Sequence, residues 1–301
     1  MSVVPVPIQQ IHIPEAEIRG IRVYVKRADM VHPYISGNKM WKLKYNLEEA
    51  GRKGKDTLLT FGGAYSNHLV AVAVAGKEHG FRTVGVVRGE VPRFVNPALR
   101  FAEMQEMLLH HVSRDTYRKW TREGFDGRGL GEMGDFYLIP EGGSNELAVK
   151  GVSEMLGDEG SFDYVCCPCG TGATLAGLAK AVKPGTLAIG FAVLKGASFL
   201  EDNVRRLSGN TLPADRWCIN HDYHFGGYAR QVGELDNFVN SFTEIHGIRI
   251  EPVYTGRMFY GINDLLKKDF FKRESAVLAV HTGGVFVWPA FEQSHSCKRS
   301  I

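Results

Sequence analysis

Short β-rich apolar runs alternate with helical runs along most of this chain. Thr57–Phe61 reads as a strand; it is followed by Gly62-Gly63 and by an Ala/Val-rich helix over Asn67–His79, with Gly80 where a helix C-cap belongs. Arg82–Arg88 predicts the next strand, Pro97–Leu108 and Asp115–Arg122 two helices, and Phe136–Ile139 another strand. The turn-rich Pro140–Asn145 then opens a helix. Asp163–Cys167 and Thr186–Val193 read as strands on either side of a Gly172–Val182 helix, and Ala276–His281 as a late strand. This alternation predicts an α/β fold of parallel sheets flanked by helices. With no repeat and no low-complexity linker, any two domains should be intertwined.

Composition narrows the classes. At 301 residues, 44% hydrophobic and 23% charged, the chain has the profile of an ordinary soluble globular protein with room for a large core. A net charge of +3 is too mild to point to nucleic acid or a membrane surface. No apolar run approaches the roughly 18 residues of a membrane span, and Met1–Pro7 lacks the features of a secretion signal. The five cysteines (Cys166, Cys167, Cys169, Cys218 and Cys297) are odd in number and partly crowded, which fits a reducing, cytoplasmic setting.

Five segments carry candidate chemistry. Ser36-Gly37-Asn38-Lys39 is a turn feeding a helix, which would set Lys39 at the helix start. There the dipole disfavours an ammonium and favours the neutral amine that bonds aldehydes. A solvated surface lysine is the bland alternative. Gly62–His68 is a strand end, glycine turn and helix N-terminus, where backbone N–H groups with Ser66 and Asn67 could hold a carboxylate. A simple N-cap by Ser66 or Asn67 explains the same residues.

Gly170-Thr171-Gly172-Ala173-Thr174 repeats the strand, loop, helix pattern, and its amides and hydroxyls suit a phosphate. It lacks the Lys-Ser/Thr ending of a nucleotide-binding loop, and Leu175 stands where a dinucleotide fingerprint has its last glycine. The neighbouring Cys166 and Cys167 read as small buried hydrophobes, and no metal is expected. Glu251–Arg257 and His281–Gly284 complete the set. Ligands of open parallel sheets sit beyond the carboxyl ends of strands, so these loops should converge on one site.

In this order, Gly-Asn-Lys39, Gly-Gly-x-x-Ser-Asn-His68, Pro-x-Gly-Gly-Ser-Asn145, Gly-Thr-Gly-Ala-Thr174, Pro-Val-Tyr-Thr-Gly256 and His-Thr-Gly-Gly284 make the chain resemble the 1-aminocyclopropane-1-carboxylate (ACC) deaminase and D-cysteine desulfhydrase family. The resemblance spans roughly Val23 to Gly284. It implies a two-domain tryptophan synthase β-like fold and pyridoxal 5′-phosphate as cofactor. The larger, PLP-binding domain would comprise residues 1–51 and 145–301, and the smaller 52–144.

The resemblance also implies roles. Lys39 would carry the cofactor as a Schiff base, Gly170, Thr171, Gly172, Ala173 and Thr174 would bind its phosphate, and Asn67 would lie near its 3′ oxygen. Ser66, Asn67 and His68 would bind substrate. Ser66, Tyr254 and Tyr228 would join Lys39 in catalysis, and Thr255 would face the pyridine nitrogen. Deaminases of the family resemble one another in placing Glu after the tyrosine and Gln at position 68. Thr255 and His68 therefore point to D-cysteine desulfhydrase-like β-elimination of a small amino acid to a 2-oxo acid and ammonia. ACC deamination, a PLP-binding protein without turnover, and an oxidoreductase built on Gly170–Gly172 are the alternatives. Ser36, Met40-Trp41 and Lys44 depart from the family's usual Gly, Thr-Arg and Glu, and an uncharged Val70-Ala71 replaces its Arg-Gln. A homodimer is expected as the commonest assembly.

Overall fold

The computed structural model describes residues 6–91, 96–130, 135–158, 160–286 and 288. Cys297 and residues 1–5 of the N-terminal reading lie outside them. In chain order the elements are β1 (Ile8–Ile11), α1 (Pro14–Glu17), β2 (Arg22–Lys26), α2 (Lys39–Arg52), β3 (Thr57–Gly63), α3 (Asn67–Glu78) and β4 (Arg82–Arg88). Then come α4 (Pro97–Met104), β5 (Met107–Val112), α5 (Arg114–Glu123), β6 (Tyr137–Ile139), α6 (Glu146–Ser153), β7 (Tyr164–Cys169) and α7 (Ala173–Ala181). The chain closes with β8 (Leu187–Ala192), α8 (Phe199–Leu207), β9 (Trp217–Asn220), α9 (Gly233–His246), α10 (Thr255–Lys267) and β10 (Ala276–Val280).

Two sheets result. One has the order β1-β2-β10-β7-β8-β9, the other β5-β4-β3-β6. Every pairing is parallel except that of β1 with β2. Parallel strands covered on both faces read as unbroken apolar runs, and β7 and β10 are buried at every position. Helix α3 is buried from His68 through Gly76, the mark of a helix enclosed on all sides. Helix α6 packs on both α2 and α7. The missing side chain at Gly151 permits this, because a Cβ there would stand 2.0 Å from the Trp41 carbonyl oxygen.

The structure differs from the periodicity at one helix. The run expected as a helix to Leu108 stops at Met104, and Met107–Val112 becomes the edge strand β5. Glu106 adopts φ 69°, which ends the helix, and β5 then pairs with Thr83–Arg88 of β4. Strands β1, β2 and β9 are four or five residues long. Such short runs draw their stability from sheet partners rather than from their own pattern. Among the described residues no helix is long and apolar enough to cross a membrane.

Candidate active site

The strand ends bring the expected segments together. At the start of α2, Gly37 has φ +63°, and a Cβ there would come within 1.8 Å of the Thr282 carbonyl oxygen. Only glycine lets the turn before Lys39 press against the loop leaving β10. His281 braces that loop: Nε2 donates to the Arg249 carbonyl at 2.7 Å, and Nδ1 accepts from the Gly283 N–H at 3.2 Å.

Asn38 then links lysine to turn. Its Nδ2 donates to Thr174 Oγ1 at 2.8 Å, and its Oδ1 accepts from Lys39 Nζ at 3.1 Å. Burial, with the charge of Lys42 behind it, pulls the Lys39 amine well below the ordinary lysine value. A buried amine of that kind is a nucleophile for an aldehyde.

Lys42 lies one turn further along α2 and is 3% exposed. Among the described residues its one hydrogen bond goes to the Gly142 carbonyl at 3.1 Å, and burial lowers its pKa to about 8. No carboxylate pairs with either lysine among the described residues. An uncompensated buried cation is expensive, and an anion brought to it repays the cost.

The Gly170–Thr174 turn supplies the matching half. Helices α3 and α6 open on side-chain caps, from Ser66 and Asn145. Helix α7 opens on Gly172 in a left-handed conformation with no side-chain cap, although Ala173 and Thr174 are buried. Its first N–H groups are therefore free for an anion. Thr171 and Ser144 share a short hydroxyl–hydroxyl hydrogen bond, so the loop after β6 closes one side of the turn.

Residues 66–68 divide between two jobs. The Ser66 hydroxyl accepts from the His68 and Leu69 N–H groups at 3.3 Å, so it caps α3 and keeps its own proton to donate. The Asn67 amide lies beside the loop leaving β10: a Cβ on Gly284 would stand 2.7 Å from Asn67 Nδ2 and 3.4 Å from Glu251 Cγ. His68, expected among the substrate groups, is 2% exposed. Thr60 gives its hydroxyl proton to the Ile139 carbonyl, so His68 Nε2 must be the donor in their 2.8 Å contact. Nδ1 is then an acceptor with no hydrogen-bond partner among the described residues. Burial above all holds the imidazole well below its ordinary pKa, and the ring is neutral.

Tyr254 lies against the turn, 3.2 Å from where a Cβ on Gly170 would be, and its hydroxyl is 3.4 Å from that of Tyr228. Burial raises the Tyr254 phenol well above 10, helped by Tyr228, Glu251 and Glu141, so Tyr254 keeps its proton. Thr255 follows Tyr254 at the start of α10. It has no exposed surface, and its hydroxyl bonds Glu251, accepting from the backbone N–H at 3.0 Å and donating to Oε1 at 3.1 Å. The half-buried group in this corner is the Glu251 carboxylate, which also accepts the N–H groups of Val253, Tyr254 and Thr255. Asn38, Lys42 and Glu251 had no assigned role in the sequence reading. Asn38 and Glu251 stood there only as members of segments, and Lys42, three positions on from Lys39, shares its helix face.

A buried nucleophilic amine tied to an anion-binding turn suits an aldehyde that carries a phosphate. Residues 2–283 match the family described as "Pyridoxal-phosphate dependent enzyme". The chain belongs to this family. Lys39 is the amine that fits the cofactor's aldehyde; the α7 N-terminus and Lys42 fit its phosphate. Among relatives, a Pyrococcus abyssi protein provisionally named as a 1-aminocyclopropane-1-carboxylate deaminase is 31% identical, over 93% of this chain and 89% of its own. The Arabidopsis thaliana protein named bifunctional D-cysteine desulfhydrase/1-aminocyclopropane-1-carboxylate deaminase, mitochondrial, is 29% identical, over 93% of this chain and 76% of its own. A solved structure titled as an ACC deaminase homologue superposes with TM-score 0.77 at 28% identity, over 94% of this chain and 91% of that one. Among the described residues no group of three or more His, Cys, Asp or Glu could hold a metal ion. Cys166, Cys167 and Cys169 are buried free thiols, with Cys169 pushed up by burial to about 12.

Proposed function

We propose that this enzyme is a PLP-dependent lyase that breaks a small amino acid down to a 2-oxo acid and ammonia by D-cysteine desulfhydrase-like β-elimination. The observation that carries the reading is the Lys39–Asn38–Thr174 chain of hydrogen bonds, which sets a neutral amine beside the uncapped α7 turn. Bound pyridoxal phosphate supplies an aldehyde for the amino group and an electron sink for the bond broken at Cα. The turn, with Lys42, holds the phosphate, and the Ser66 hydroxyl with the Asn67 amide orients the substrate carboxylate. Lys39 Nζ, neutral because it is buried, takes the Cα proton. The Tyr254 hydroxyl, protonated across the working range, gives a proton to the departing sulfur, with Tyr228 beside it. From D-cysteine and water the products are pyruvate, sulfide and ammonia.

A second reading, ACC deamination, is favoured by one observation. The carboxylate that deaminases place after the tyrosine is absent from position 255, yet Glu251 brings one to Thr255 by hydrogen bond. The two are separated by supplying holoenzyme with D-cysteine and with ACC, following sulfide and pyruvate in one arm and 2-oxobutanoate in the other. Sulfide without 2-oxobutanoate is expected; the reverse pattern selects deamination. A bound-cofactor absorbance band with no product from either substrate sinks both and leaves a PLP-binding protein without turnover. The same reading takes the protein as a cytoplasmic homodimer whose site lies between domains 1–51/145–301 and 52–144.

A further inference from the structure

Arg257 has no exposed surface, and among the described residues its guanidinium bonds only backbone carbonyls. Nη1 donates to Val193 O at 2.6 Å and His224 O at 2.8 Å, Nη2 to Gly227 O at 2.8 Å, and Nε to Pro252 O at 3.1 Å. Among the described residues no carboxylate forms an ion pair with it. A helix needs no such group for its own sake, and burying one unpaired is unfavourable.

The carbonyls it holds belong to the segments that place the two tyrosines. Val193 follows β8, Pro252 lies in the turn before Tyr254, and His224 and Gly227 belong to the turn that carries Tyr228. That turn is wound against ordinary preference. Phe225 has φ 49° and Ala229 φ 53°, with Gly226 at 85° and Gly227 at 125° between them. Side chains rarely adopt left-handed conformations, and two within five residues persist only where surrounding contacts hold them. The turn's own backbone supplies two bonds, Gly227 N–H to His224 O at 2.9 Å and Arg230 N–H to Gly227 O at 3.3 Å. The remaining restraint on these carbonyls comes from Arg257. The winding leaves Tyr228 43% exposed with its hydroxyl 3.4 Å from that of Tyr254.

We propose that Arg257 is the positioning residue for the Tyr228–Tyr254 pair: it pins the 224–229 turn through the His224 and Gly227 carbonyls and locks it to the strand and turn that carry the site. A planar fork reaches these carbonyls from two separate nitrogens, which one ammonium cannot do. Arg257→Lys therefore keeps the charge and loses the device. The expected catalytic effect rests on the proposed role of Tyr228 in turnover.

The test uses holoenzyme of the wild type, Arg257→Lys, Tyr228→Phe and the double variant. Amide hydrogen exchange over 224–230 is expected to speed up on the order of tenfold or more in Arg257→Lys, while exchange in β7 and β10 stays unchanged. Tyr228→Phe and Arg257→Lys are each expected to lower kcat on the order of 100-fold, with KM little changed. Combined, they should lose less than about twofold beyond Tyr228→Phe alone, because they disable the same group. Unchanged exchange in the turn overturns the proposal, as do losses in kcat that multiply. If Tyr228→Phe keeps full kcat, the role of Tyr228 in turnover fails, while the exchange of the turn still decides Arg257. Should Arg257→Lys not fold, Arg257→Ala with added guanidinium replaces it; restored kcat and slowed exchange support the pin, and no rescue of either overturns it.

Discussion

Replacing Lys42 by Met tests the electrostatics at the centre of the site. In the cofactor-free protein the Lys42 ammonium is buried beside Lys39 with one carbonyl partner. The fall of its pKa from 10.5 to about 8, at about 1.4 kcal/mol for each tenfold in the protonation equilibrium, corresponds to about 3 kcal/mol of destabilisation below pH 8. Met has a similar length and no charge, but leaves the Gly142 carbonyl without its donor, which costs about 1 kcal/mol. The apoprotein of Lys42→Met should therefore be more stable than wild type by about 2 kcal/mol near neutral pH.

With an unfolding entropy of about 0.6 kcal/mol/K for 301 residues, that gain raises Tm by about 3 °C. Its sign depends on pH. Between about 8 and 10.5 the unfolded lysine binds a proton that the native one has released, so wild-type stability climbs with pH through this window. Above 10.5 the advantage of Met is gone, and the variant should be the less stable by about 1 kcal/mol. Urea unfolding of both apoproteins across this range measures the crossover. Cofactor binding should move the opposite way: loss of a charged donor to phosphate costs about 1.5–3 kcal/mol, or roughly 10- to 100-fold in PLP affinity by absorbance titration. A variant that binds PLP as wild type does, or whose stability relative to wild type is the same at every pH, refutes the reasoning.

Lys39→Ala should lose the visible absorbance of the cofactor bond and all measurable turnover while the apoprotein stays folded; an unaltered spectrum would remove Lys39 from the site. Thr255→Glu should not create a deaminase. It forces a second carboxyl against Glu251 where Thr255 has no exposed surface, and should destabilise the protein by about 3 kcal/mol or more; a stable variant that forms 2-oxobutanoate from ACC would contradict this. In wild type, stability should fall as pH drops below 6.5, because the unfolded His68 takes up a proton that the buried ring does not. His68→Gln should flatten that fall by up to about 1.4 kcal/mol per pH unit, read from urea midpoints, and equal slopes would place the effect elsewhere.

The sequence by itself determined the parts that depend on local chemistry. Buried parallel strands such as Arg82–Arg88 show as apolar runs, and glycine turns show as strand ends, because the backbone at these points tolerates few residues. The order of Lys39, Ser66–His68 and Gly170–Thr174 was legible for the same reason, and Tyr254 through the family resemblance. Tertiary structure decided what depends on distant partners. Met107–Val112 is a strand because β4 offers it a parallel edge, and Glu106 breaks the helix it would otherwise extend. Asn38 became the link between lysine and turn only when Thr174, 136 positions away, came within 2.8 Å. Arg257 was set among four carbonyls, three of them 30 or more positions away, by packing that no run of neighbours encodes. Hydrogen bonds and desolvation act over a few ångströms of space, and separation along the chain carries no record of that distance.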